Sequence, residues 1–284
     1  MHKNATLLNV NADIEFKSAR GMININSDIG SLFLPLFFVV GAFLGSMFTI
    51  FTFRIPRQLA ISKKNVCRNC NSVLKVKELI PILSFLFLGG KCKHCKAKIS
   101  RQYIIIEILT ALAFVFLYMF YGMSFDLLLY LTLWSMLIIT FVIDLEHMVI
   151  SDAVLFASLP VVVVYILATD ASWLNHLLGL IIGFTIFLMI YLAAKWFYGK
   201  EAFGFGDVML SGAVGAFLGW DNILLVTILS FVIAVVVIVF LRAIGKKLKR
   251  EMEIPFGPFI CVAAAIASLY GYEIIQFYWG LGSL

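Results

Sequence analysis

Two aspartates and four cysteines in this sequence have the types and spacing to do chemistry: Asp144, Asp207, Cys67, Cys70, Cys92 and Cys95. Asp207 closes "GFGD", between two glycines and an apolar run, and Asp144 opens "DLEHMVISD" at the end of another. Two carboxylates that share a proton can activate water with one member and protonate a leaving group with the other. Position alone allows a plainer reading, in which Asp207 is the N-cap of a helix beginning at Val208 and Asp144, Glu146 and Asp152 belong to a solvated loop. Capping requires neither glycine, whereas Gly204 and Gly206 remove side chains beside Asp207 and are expected to let the backbone of another stretch of chain come close.

The cysteines form two Cys-x-x-Cys pairs with 21 residues between them. Each pair offers two thiolates from one tight turn, and two such turns complete a tetrahedral zinc shell. The gap slightly exceeds the usual ribbon spacing, which an apolar stretch (Leu79 to Leu88) packing on a bilayer surface would explain. Disulfides or free thiols are the alternative, and a reducing compartment counts against disulfides. His94 lies inside the second knuckle, and Cys261 reads as an apolar filler.

The elements that must position these groups are membrane helices. The chain has 284 residues, 62% of them hydrophobic and 13% charged, with mean hydropathy +1.02, more apolar surface than a soluble fold buries. Apolar windows at 31–53, 102–121, 125–143, 153–168, 177–194, 208–219, 223–241 and 259–280 predict an all-α polytopic membrane protein of about eight spans. The sixth window is short, so it must be a short helix, a broken one or one extended by its flanks. Small-residue pairs at four-residue spacing, Gly41 with Gly45, Gly179 with Gly183 and Gly215 with Gly219, are expected where helices touch.

Net charge is +6, and twelve of the 22 Lys and Arg residues lie between Arg54 and Arg101. That clustering marks the loop after span one as cytoplasmic and argues against nucleic acid as the partner. Counting crossings from there puts Asp144, Asp152, Glu201 and Asp207 on the cytoplasmic face with the cysteine loop, and both termini outside. The organisation expected is a polar extension at 1–30 with no cleaved-signal pattern, a first transmembrane helix at 31–53, a cytoplasmic zinc loop at 54–101 and a seven-helix catalytic domain at 102–284. Competing chemistries are poorly supplied: there is no His-Glu-x-x-His run, and Ser46 and Ser211 lack a partner base. A catalytic metal at Asp144, Glu146, His147 and Asp152 stays open. A zinc-stabilised transporter or secretion scaffold without catalysis is the non-enzymatic alternative, though a transporter should carry polar groups near the midplane.

Residues from about 35 to 270 then resemble the type IV prepilin peptidases, through "GAFLGSMFTIFTFRIP", "LIPILSFLFLGGKCKHCKAKISRQYIIIE", "IDLEHMVISD", "GFGD" and "IPFGPF" in that order. The resemblance implies an intramembrane aspartic endopeptidase whose catalytic carboxylates match Asp144 and Asp207. It implies removal of a basic leader from prepilins or pseudopilins, after glycine, at the cytoplasmic boundary of the bacterial inner membrane. It further implies methylation of the new N-terminus with S-adenosylmethionine. Where the family commonly has Ile-Pro-Asp, this chain has Ile150, Ser151 and Asp152. Glu146, Asp152 and Glu201 are expected to meet the basic leader, and Pro255, Gly257 and Pro258 to form a rigid helix entry that also lines the site. Asp207 at a helix start and Asp144 at a helix end would place the shared proton on Asp144.

Overall fold

The computed structural model describes residues 28–60, 65–67, 69–198, 204–244 and 255–281. Glu201 and most of the N-terminal extension lie outside them. The chain divides into two compact units, one formed by residues up to Thr49 with Ser62–Leu131, the other by Ile50–Ile61 with Thr132–Leu284.

The first unit holds most of helix α1 (Asp28–Arg54), the cysteine loop with its short helix α2 (Leu83–Phe87), and α3 (Arg101–Tyr121). The small-residue pair makes the α1–α3 contact: a Cβ on Gly41 would stand 2.8 Å from the Ala111 Cα, and one on Gly45 2.8 Å from the Glu107 Cα. Only hydrogen at these positions lets the backbones close to that distance, which is how helices associate where lipid is as apolar as leucine.

In the second unit, α4 (Phe125–His147) enters from Thr132 onward, followed by α5 (Asp152–Ser158) and α6 (Pro160–Thr169), which together make one span, then α7 (Trp173–Tyr198), α8 (Phe205–Ala243) and α9 (Gly257–Leu281). Trp134 on α4 donates from its indole nitrogen to the Ser268 hydroxyl on α9 at 3.1 Å, and the Ser158 hydroxyl on α5 lies 3.2 Å from the Met136 sulfur. The indole bond satisfies a polar group that lipid could not.

Seven helices among the described residues are long and apolar enough to cross a membrane. The sixth, α8, is two spans rather than one long rod. At Gly219 the backbone takes φ 81° and ψ 174°, outside any helical region. Gly179 and Gly183 on α7 meet residues 215 and 211 on the first arm, and residues 219 and 223 as the second arm begins. The first arm therefore runs antiparallel to α7 and the second parallel to it. The chain doubles back at Gly219, giving the eight crossings expected. The short window extends at its N-terminal flank to residues 205–218, which at 1.5 Å per residue is about 21 Å of helix. Asn175 on α7 accepts the Trp220 amide at 3.1 Å and so caps the second arm.

Candidate active site

Asp144 sits in the last turn of α4. Its carbonyl accepts the Met148 amide at 2.9 Å, and Met148 leaves the helix with φ 52°, a left-handed termination. Asp207 sits in the first turn of α8, but not as its N-cap. The N-cap is Gly204, the helix starts at Phe205, and Asp207 is the third helical residue. Its carboxylate reaches back to the Gly204 amide, the acidic half of a capping box. One carboxylate oxygen is thereby held, which leaves the other to aim elsewhere. The helix-end arrangement read from the sequence is thus present, with the capping position corrected by three residues.

Both carboxylates are buried, Asp144 at 5% exposure and Asp207 at 6%, and they lie near enough for their charges to interact. The segment that brings them together is Phe256–Gly257. The Gly257 amide faces the Asp144 carboxylate, and a Cβ on Gly257 would stand 2.5 Å from Asp144 Oδ2 and 3.3 Å from Ile150 Cδ1. On the other side of Ile150, a Cβ on Gly206 would stand 2.9 Å from its Cβ. Ile150 is therefore wedged between Gly206, the neighbour of Asp207, and Gly257, the neighbour of Asp144. Phe256 is fixed between Phe231, at 4.9 Å between ring centroids, and Phe187, at 6.2 Å, so the entry to α9 cannot drift from the carboxylate.

The glycines divide in role. Gly206 admits Ile150, as expected of a residue without a side chain, although what comes close is a side chain and not a backbone. Gly204 admits nothing: the nearest atom to a Cβ there is Asp207's own Oδ2, at 3.4 Å. Pro255 and Pro258 flank Gly257 at the start of α9, with Pro258 buried. Glu146 and Asp152 are exposed, unlike the buried pair. Ser151 holds an extended backbone, φ −89° and ψ 112°, as the N-cap of α5, with no side-chain capping bond.

Thr140 is a residue the sequence reading missed. It lies one turn before Asp144 on the same helix face. Buried helix hydroxyls such as Thr110, Ser158 and Ser211 bond back to a carbonyl of their own turn. Among the described residues the Thr140 hydroxyl makes no such bond, and with Asp144 Oδ2, His147 Nε2 and Asp207 Oδ1 it is buried without a hydrogen-bond partner there. Among the described residues, the acidic oxygen facing His147 is Glu146 Oε2, at 3.8 Å. The signal of Thr140 in the sequence was a hydroxyl four residues before the aspartate in an otherwise apolar stretch.

The cysteine loop supplies a separate centre. The four Sγ atoms lie within 4.8 Å of one another, with Cys67 and Cys95 at 3.8 Å. A tetrahedral zinc with bonds of about 2.3 Å needs sulfurs about 3.8 Å apart, so the set fits the ion. Both knuckles are built alike. The Cys67 amide donates to the Ser72 carbonyl and the Asn71 amide to the Cys67 carbonyl; the Cys92 amide donates to the Ala97 carbonyl and the Lys96 amide to the Cys92 carbonyl. Asn71 and Lys96 occupy the same left-handed position, φ 55° and 58°. The Ser72 hydroxyl, then its amide, lowers the Cys70 thiol to about 6, and the amides of Cys95 and His94 lower that of Cys92. The Cys67 thiol is raised instead, so the thiolates prepared for a cation are those of Cys70 and Cys92. Asn69 adds an amide bond to Cys95 at 3.6 Å. Among the described residues no other group of three or more Cys, His, Asp or Glu side chains gathers in this way, so the alternative metal set at Asp144, Glu146, His147 and Asp152 does not form.

Residues 39–121 match the model of the bacterial peptidase A24 N-terminal domain, and residues 131–239 that of the type IV leader peptidase family. The chain belongs to the type IV leader peptidase family. The prepilin leader peptidase/N-methyltransferase of Bacillus subtilis (strain 168) is 35% identical over 247 residues, 86% of this chain and 97% of that protein. Its counterpart from Aeromonas hydrophila is 34% identical over 224 residues, 76% of this chain and 74% of that one. No solved structure matches the chain. Both aspartates fall within the leader-peptidase match and all four cysteines within the N-terminal one.

Proposed function

We propose that this protein is an intramembrane aspartic endopeptidase of the bacterial inner membrane that removes the basic leader of type IV prepilins or pseudopilins, after glycine, at the cytoplasmic boundary. The observation that carries the reading is the pair of buried carboxylates, from separate helices, each with an unpartnered oxygen. Neither capping nor solvation accounts for that, and a scaffold has no use for it.

The chemistry follows from two aspartates holding one proton between them, as a pair that titrates together. The ionised carboxylate takes a proton from water as the water oxygen attacks the scissile carbonyl carbon. The protonated partner hydrogen-bonds the carbonyl oxygen, and a proton is then returned to the departing amine as the carbon–nitrogen bond breaks. Thr140 supports this by donating to Asp144 or to the water. A prepilin whose apolar helix lies in the bilayer presents its cleavage point at the depth of helix ends, where Asp144 and Asp207 stand. Glu146 and Asp152 attract the basic leader, and Glu201 is proposed to join them.

Zinc, held by Cys67, Cys70, Cys92 and Cys95, acts structurally by tying two knuckles together. Methylation of the new N-terminus with S-adenosylmethionine is proposed from the likeness to the named relatives; no residue is assigned to the methyl donor.

The test uses membranes containing the protein, its Asp144→Ala form or its Asp207→Ala form, mixed with a prepilin and followed by mass. Leader loss by the unaltered protein and its abolition in both variants is expected, with a further methyl mass when S-adenosylmethionine is added. Cleavage that survives either substitution would overturn the assignment of the pair.

A further inference from the structure

The segment between the two zinc knuckles has a feature that metal binding does not use. Leu83, Leu86 and Phe87 on α2 are 51%, 62% and 86% exposed, in a loop that the charge distribution places outside the membrane. Its depth is set by an anchor. The Ile82 amide donates to Glu107 Oε2 at 2.7 Å, and Glu107, itself 8% exposed, also bonds the Ser46 hydroxyl. Ile82 holds φ 60°, which a β-branched residue keeps only where its surroundings impose it.

Glu107 is the seventh residue of α3, so at 1.5 Å per residue it lies about 9 Å beyond the basic start of that helix at Arg101. Ser46 lies eight residues before the end of α1 at Arg54, about 12 Å by the same measure. Two membrane helices thus agree on the depth of the carboxylate that α2 hangs from. That depth is below the headgroups. Lys75, Lys77, Lys91, Lys96 and Lys98, all exposed, occupy the sequence on both sides of the apolar tip, where they match anionic lipid headgroups.

We infer that residues 80–88 form a re-entrant tip inserted into the cytoplasmic leaflet of an anionic bilayer, with Leu83, Leu86 and Phe87 among the acyl chains and the flanking lysines on the headgroups. The zinc knuckles are then clamped to the membrane surface by a wedge, and do not hang free in solution. This reading is independent of the catalytic one.

The test places a photoreactive benzoylphenylalanine at Phe87, at Leu86, or at the exposed Lys93, in the full chain reconstituted in phosphatidylethanolamine–phosphatidylglycerol vesicles. Lipid adducts at Phe87 and Leu86 should exceed those at Lys93 by about tenfold, as for side chains seated at the acyl boundary. Adduct yields at Phe87 and Leu86 no higher than at Lys93 would overturn the inference. So would cross-linking of these positions to a co-reconstituted prepilin in place of lipid, which would make the tip a substrate-docking surface.

Discussion

Gly257, Gly206 and Gly204 give the site a graded set of outcomes, because a methyl group meets something different at each. At Gly257 it would collide with the Asp144 carboxylate at 2.5 Å, at Gly206 with Ile150 at 2.9 Å, and at Gly204 it would make an ordinary contact at 3.4 Å. Leader cleavage should therefore fall by about a hundredfold or more in Gly257→Ala, since displacing a catalytic group by about 1 Å costs that much. Gly206→Ala should lose less and Gly204→Ala should stay near the unaltered rate. Equal losses at all three, measured as kcat/KM on one prepilin, would mean that the glycines act through backbone freedom and not through space. Thr140→Val keeps shape and removes the hydroxyl. A donor to the carboxylate or its water contributes about 1–3 kcal/mol, so kcat should drop by roughly 5- to 150-fold with little change in KM. A purely packing role would leave kcat unaltered.

Helix α8 and the cysteine loop carry the predictions at the scale of elements. The reversal at Gly219 rests on a backbone conformation that L side chains rarely adopt, and a Cβ there would stand 2.6 Å from Asn175, the residue that caps the second arm. Gly219→Ala should cost about 1–3 kcal/mol of strain and lower the thermal midpoint in detergent, since the arm that carries Asp207 loses its turn. An unchanged midpoint would show that the two arms can be joined without that conformation. For the loop, the Cys70 thiol is lowered to about 6 and that of Cys92 is lowered as well. A lowered thiol favours bound metal above its own value and loses it as protons return. Zinc content measured after dialysis should hold near one per chain at neutral pH and fall as the medium is made acid and protons compete for the thiolates. Cys92→Ser should remove the ion and expose the loop to protease without melting the helices, because α1 and α3 are held by their own glycine contacts.

At the scale of the whole molecule, Glu146 and Asp152 are exposed charges, whose attraction for a basic segment reaches about a Debye length and weakens with salt. Reversing Glu146 or Asp152 to lysine should raise KM for a prepilin with a basic leader by a few-fold while leaving kcat nearly intact, and should do so less at high salt. An effect on kcat alone would remove leader attraction from the proposal. The same scale shows what the amino-acid order determined unaided. Span number and approximate limits follow from hydrophobic length, because a bilayer admits only helices that satisfy their own backbone. The gathering of four cysteines follows from Cys-x-x-Cys spacing, and the two aspartates from their place at the ends of apolar runs. Tertiary structure alone decided the rest. That α8 folds back at Gly219, that Ile150 is wedged between two glycines far apart in sequence, and that Glu107 holds the cysteine loop all depend on contacts between distant segments. Local pattern reports which face of a helix is apolar; which residue of another helix arrives there is settled by packing, and packing is a property of the folded chain.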